Sequence, residues 1–117
     1  MRSDRLYLED IVSAMQAVEI FLSGKNSSAF LKDDLLQSAV LQKLTIMGEA
    51  ASKVSKELKT RYPRIDWVGA IDFRNFAVHA YFSVDWEVVW NTATMDAPEF
   101  ARQIAEIMTK GFPENKD

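Results

Sequence analysis

The stretch Asp72-Phe-Arg-Asn-Phe-Ala-Val-His-Ala-Tyr-Phe82 holds the only histidine of the chain, His79, five residues after Arg74 and two before Tyr81. An imidazole, with an unperturbed pKa of about 6.5, and a permanently charged guanidinium are the parts that phosphoryl transfer without a metal requires. RNA cleavage is the natural example. One group takes the proton from the 2′-hydroxyl, another protonates the leaving 5′-oxygen, and a cation stabilises the charge developing on phosphorus. A single His cannot readily fill both proton-transfer roles, which argues for two chains contributing to one cleft and predicts a two-fold homodimer. The ordinary alternative is structural: a lone His near a helix end as a capping or hydrogen-bonded core residue, Arg74 paired with Asp72 or Glu49, and Tyr81 as core.

These residues need a helix to hold them. On a helix Asn75 and His79 are one turn apart and face the same way, whereas Arg74 and Tyr81 share a neighbouring direction two turns apart. Pro63-Arg-Ile-Asp-Trp67 reads as the turn into that helix, with Asp66 as its N-cap. Upstream, Leu8, Ile11, Val12, Met15, Val18 and Leu22 follow steps of three and four, the pattern of an amphipathic helix over roughly residues 4 to 22. Ser23-Gly-Lys-Asn-Ser-Ser28 ends it.

A second helix is expected from about Asp33-Asp34 to about Lys59, ahead of Pro63, with Val40, Leu44, Met47, Ala51, Val54 and Leu58 as a heptad-like stripe for near-antiparallel packing. Gly48 lies in its middle, where it costs about 1 kcal/mol relative to Ala, so a close backbone approach is expected there. Glu49 beside it is expected to face the third helix and to pair with Arg74 or Asn75. Asp85 can cap a short fourth helix with Trp86, Val89, Trp90 and Ala93 on one face. Asp96 or Ala97 with Pro98 opens a fifth, bearing Phe100, Ile104, Ile107 and Met108. The expectation is an all-α bundle of four or five helices, one domain over residues 1–117.

Composition narrows the chemistry. Apolar residues make up 48% of 117 positions, enough to fill one core. There is no cysteine, which removes disulfides, thiolate zinc sites and cysteine nucleophiles; with one histidine, no metal site or cofactor is expected. The N-terminus lacks the apolar stretch of a signal peptide and no run approaches a membrane span, so a soluble, cytoplasmic protein is expected. A net charge of −3 argues against a protein that coats nucleic acid. Yet Lys53, Lys56, Lys59, Arg61 and Arg64 lie within twelve residues against Glu57 alone. That run reads either as a local basic region or as the solvated end of a helix, where the dipole favours cations.

Arg74-Asn75, three residues, His79, one residue and Tyr81 reproduce an R-N-x3-H-x-Y form of the R-x4-H-x-Y motif. With Gly48-Glu-Ala-Ala51, Tyr62-Pro-Arg-Ile-Asp-Trp67 and Tyr81-Phe-Ser-Val-Asp85 in order, most of the chain resembles the HepT-like toxins of the HEPN superfamily. The resemblance implies a helical bundle that dimerises, a metal-independent endoribonuclease site where the two motifs meet, and a minimal nucleotidyltransferase antitoxin as partner. In that frame His79 is the acid-base group, Arg74 binds and stabilises the phosphate, and Asn75 orients one of them. Tyr81 is the acceptor of AMP, whose added charge and bulk would block an RNA phosphate. Asp72 stands where relatives often carry a small residue, and it would either orient His79 or neutralise Arg74. The alternative function is a non-catalytic subunit that binds substrate or nucleotide for the transferase; a purely structural dimer with a vestigial motif is the third.

Overall fold

The computed structural model describes residues 2–79 and 83–110. Helix α1 (Asp4–Leu22) starts where the Ser3 side chain accepts from the Leu6 N–H, and it buries Leu8, Ile11, Ala14, Met15 and Val18 along one stripe. Gly24 adopts φ 75°, the left-handed turn that ends this segment and that residues with a Cβ rarely adopt. A single-turn helix, α2 (Ser27–Phe30), follows within what the sequence reads as a loop. Asn26 caps it through the Ala29 N–H at 2.8 Å, and Phe30 drops into the core beside Trp86 and Trp90.

Helix α3 (Asp34–Lys53) is capped by Asp33 and forms the centre of the fold, packed on α1 on one side and on α5 on the other. Its buried stripe includes Val40, Leu44, Met47 and Ala51, as the heptad-like spacing predicts. Buried Gln37 is satisfied by donating from Nε2 to the Phe30 carbonyl at 3.1 Å, which also ties α2 to α3.

The expected single helix to Lys59 is two. α3 stops at Lys53, Val54 turns extended, and Ser55 starts α4 (Lys56–Arg61) by accepting from the Leu58 N–H. The break has a tertiary cause: Asp4, at the start of α1, accepts from both the Ser55 N–H at 2.8 Å and the Ser55 hydroxyl at 2.6 Å. A serine that can cap, held by a carboxylate from another helix, outcompetes continuation of the α-helical ladder. Val54 and Leu58 still point inward, so the apolar stripe survives the change of axis.

Asp66 caps the next helix, α5 (Trp67–His79), by accepting from the Gly69 N–H at 2.9 Å. Trp67 anchors its start, donating from Nε1 to the Tyr62 carbonyl and meeting Phe100 edge-on. The fourth and fifth helices of the expectation are present without a break between them. α6 (Trp86–Asn91), capped by Asp85, passes through a π-helical turn (Thr92–Asp96) into α7 (Ala97–Lys110). Pro98 has no N–H and its ring crowds the carbonyl of the preceding turn, and the wider π turn lies where that crowding falls. α7 packs against α1 and closes the bundle. Among the described residues there is no strand, and no helix is long and apolar enough to cross a membrane.

Candidate active site

The seam between α3 and α5 is narrow at one point, and that point carries the motif. A Cβ placed on Gly48 would come within 2.5 Å of the Ala70 carbonyl oxygen and of Arg74 Cβ, so only glycine permits the two helices to approach this closely. The expected close approach is therefore present. Arg74 leaves α5 directly beside it and reaches across the seam, where Nη1 donates to Glu49 Oε1, while Nε donates to Asn75 Oδ1 at 3.0 Å. The expected pairing of Glu49 with Arg74 is thus formed.

The consequence is a guanidinium fixed at two of its edges. Arg74 keeps only 23% of its side-chain surface exposed, against 49% for Glu49, so the stem is packed and the head lies at the surface. Among the described residues Nη2 has no partner. A cation presented in this way can engage an anion without first giving up either restraint. Lys53, one turn beyond Glu49 on α3, brings Nζ to 4.0 Å from Glu49 Oε2, adding a second positive group to the same surface. In the sequence Lys53 stands at the head of the basic run, and its four-residue spacing from Glu49 allows the pairing.

His79 is the last described residue of α5, and both it and Asn75 are exposed. They share an outward face with Val68, Asp72 and Val78, two of which are apolar yet open, Val68 at 67% and Val78 at 56% exposure. α5 packs chiefly on α3, and among the described residues this face is exposed. Tyr81 lies outside the described residues.

Asp72 behaves differently from either reading offered by its place in the motif. Among the described residues it pairs with neither Arg74 nor His79; the carboxylate that balances Arg74 is Glu49. Asp72 borders a groove of about 690 Å³ between α5 and the α6–α7 run, floored by Met47, Phe73, Phe76 and Phe100, and neither Arg74 nor His79 lines it. Asn75 and His79 stand instead on the exposed side of α5, and Arg74 stands at the α3–α5 seam. Among the described residues no three His, Asp or Glu side chains are grouped so as to hold a metal ion.

With this geometry in view, the comparisons with known proteins decide the family. The profile of the ribonuclease HepT-like family matches residues 11–107. The chain belongs to that family. It is 38% identical over 97 residues to a protein named probable ribonuclease HepT from Thermococcus cleftensis, covering 83% of this chain and 88% of that one. It is also 30% identical over 110 residues to a candidate RNase of Caldanaerobacter subterraneus subsp. tengcongensis, covering 94% and 98%. A candidate RNase of Methanocaldococcus jannaschii is 30% identical over 104 residues, covering 89% and 86%. No solved structure matches the chain. The HepT-like match takes in both sides of the Gly48 seam and all of α5, the part of the fold that positions Arg74, Asn75 and His79.

Proposed function

We propose that this HepT-like protein is a metal-independent endoribonuclease, the toxin of a toxin–antitoxin pair, whose site is completed when two chains bring their Arg74–Tyr81 segments together. The observation that carries this reading is the Arg74 guanidinium, held by Glu49 and by Asn75, with Asn75 itself exposed one turn before the exposed His79 on the same helix. One chain offers one imidazole. Two of them, facing each other across a two-fold axis, offer two imidazoles and two guanidinia around a strand, and Val68 and Val78 supply apolar surface for the contact.

In the reaction, one His79 takes the proton from the 2′-hydroxyl and the 2′-oxygen attacks phosphorus. The bond to the 5′-oxygen breaks, and the second His79 gives that oxygen a proton. Arg74 stabilises the charge that builds on the phosphoryl oxygens. The products are a 2′,3′-cyclic phosphate and a 5′-hydroxyl. Control would come from a minimal nucleotidyltransferase antitoxin that transfers AMP from ATP to the Tyr81 hydroxyl, releasing pyrophosphate. The resulting phosphodiester would place negative charge where the RNA phosphate must bind.

Incubation of the purified protein with RNA in the presence of a chelator, beside a His79→Ala control, tests the proposal. Cleavage by the wild type, reduced about 100-fold or more in the variant, is the expected result for a general acid or base. Cleavage that stops with chelator, or that persists in the variant, would reject it. Light scattering at micromolar concentration should give a dimer, and a monomer would remove the composite site.

A second reading, a non-catalytic subunit that presents nucleotide to the transferase, is favoured by the net charge of −3. It predicts ATP binding with no RNA cleavage in the same assay.

A further inference from the structure

The basic run between α3 and α5 is not used by the site at Arg74, and the fold gives part of it a definite shape. Arg61, Tyr62, Pro63, Arg64 and Ile65 form one wall of a cleft of about 580 Å³, and α7 forms the other with Arg102, Glu106, Ile107 and Lys110. Its floor is apolar, since Ile65 and Ile107 are both buried. Tyr62 is half-buried, and its carbonyl is held by Trp67 Nε1 at 3.1 Å, so the turn that carries the ring is anchored to the start of α5.

The cations around this cleft are not equivalent. On the α7 side Arg102 is engaged by Glu99 through two bonds of 2.9 and 2.6 Å, and Lys110 faces Glu106 at 3.5 Å. Among the described residues Arg61 and Arg64 have no carboxylate partner, and both are exposed. In a chain of net charge −3, two such arginines that line one apolar-floored cleft with an aromatic residue between them in sequence form a local exception that helix-end solvation alone does not call for.

We propose that this cleft is a second RNA-contacting site, in which a base of a single strand packs on Tyr62 while Arg61 and Arg64 take the flanking phosphates. The proposal rests on the ribonuclease reading for its ligand, though not on cleavage. Aromatic rings that accept a base and cations that track the backbone are the combination by which single strands are held without regard to sequence. Planar, fully charged guanidinium suits phosphate better than ammonium does. Trp67 and Arg74 are separated by about 10 Å along α5, at 1.5 Å per residue. Trp67, whose Nε1 holds the Tyr62 carbonyl, ties the turn that lines the cleft to the helix that bears Arg74. Holding RNA outside the scissile step would let an acidic protein retain its substrate.

The test is fluorescence anisotropy with an uncleavable, 2′-deoxy single-stranded oligonucleotide of about twelve nucleotides, titrated with the full chain across a series of salt concentrations. Arg61→Ala with Arg64→Ala should weaken binding about tenfold and lower the slope of log affinity against log salt by about 1.4, at about 0.7 for each phosphate of the single strand that is no longer neutralised. Tyr62→Leu should weaken binding with the slope unchanged, the signature of impaired stacking. Lys25→Ala with Lys32→Ala, at the far end of α1, is the control for net charge and should leave the slope unaltered. The thermal midpoint of each variant checks folding; if the double arginine variant does not fold, Arg61→Gln with Arg64→Gln replaces it. Equal affinity and slope in the arginine and lysine pairs would overturn the proposal while leaving the ribonuclease reading intact. Binding that depends on Arg61 and Arg64 in a protein that cleaves nothing would support the cleft and reject the catalytic reading. Unchanged oligonucleotide binding, with loss of a stable complex with the nucleotidyltransferase instead, would overturn it in favour of a protein contact.

Discussion

Arg74 on α5 and Glu49 on α3 are 25 residues apart in sequence and joined in space by an ion pair across the point where Gly48 lets the two helices touch. Both the packing and the charge of the site pass through this one crossing. Glu49 is half exposed, so the pair adds at most about 1 kcal/mol to stability; its value lies in holding the guanidinium still.

Glu49→Ala should therefore leave the fold intact and damage catalysis. The expected result is a urea midpoint within about 1 kcal/mol of wild type and a kcat lowered about tenfold, because a loosened guanidinium no longer meets the phosphoryl oxygens in one geometry. Glu49→Gln keeps an oxygen to accept from Arg74 and should recover most of the rate. A kcat equal to wild type in Glu49→Ala would mean that Asn75 alone positions Arg74.

Gly48→Ala exchanges a gain for a larger loss. Alanine favours the helix by about 1 kcal/mol, but its Cβ would meet the Ala70 carbonyl and Arg74 Cβ at 2.5 Å, and overpacking of this kind costs about 1 to 3 kcal/mol. The net expectation is a lower denaturation midpoint together with reduced cleavage, since the displaced atoms include Arg74 itself. A more stable and fully active variant would show that the seam opens without strain.

Tyr81→Phe separates catalysis from control. If Tyr81 is chiefly the acceptor of AMP, the variant should keep much of its cleavage activity and escape silencing by the nucleotidyltransferase with ATP. The two assays are read together. Complete loss of cleavage would make the hydroxyl part of the catalytic machinery, and normal silencing would show that control runs elsewhere.

Asp4→Ala probes the junction that divides α3 from α4. It removes the acceptor for both the Ser55 N–H and the Ser55 hydroxyl, bonds made by a partly buried carboxylate, and should cost about 2 kcal/mol. The urea midpoint should fall while kcat in the folded protein is retained, because among the described residues Asp4 and Ser55 make no bond to Arg74, Asn75 or Glu49. No change in the midpoint would mean that Ser55 caps α4 unaided.

The helices and the core were legible in the sequence because they are set by local periodicity. Val40, Leu44, Met47 and Ala51 repeat at the spacing of one helical face, and each is buried where that repeat puts it. The caps at Asp33, Asp66 and Asp85 were legible for the same reason, since a carboxylate three residues before a helical N–H needs no distant partner. The close approach at Gly48 could also be read, because a glycine that costs a helix stability usually has a packing reason. What tertiary structure alone decided are the features that depend on contacts between elements. α3 ends at Lys53 because Asp4 arrives from α1 to hold Ser55, and no helical pattern in residues 34–59 announces that. The α6–α7 run stays helical across Pro98 because a π turn makes room for the ring, although proline by itself reads as a boundary. The balance of charge at Arg74 falls to Glu49 rather than to Asp72, which is nearer in sequence, because on a helix residues two apart project in different directions, while the Gly48 crossing brings α3 alongside. Spacing along one chain orders residues on a single helix, and only packing between helices selects which charges meet.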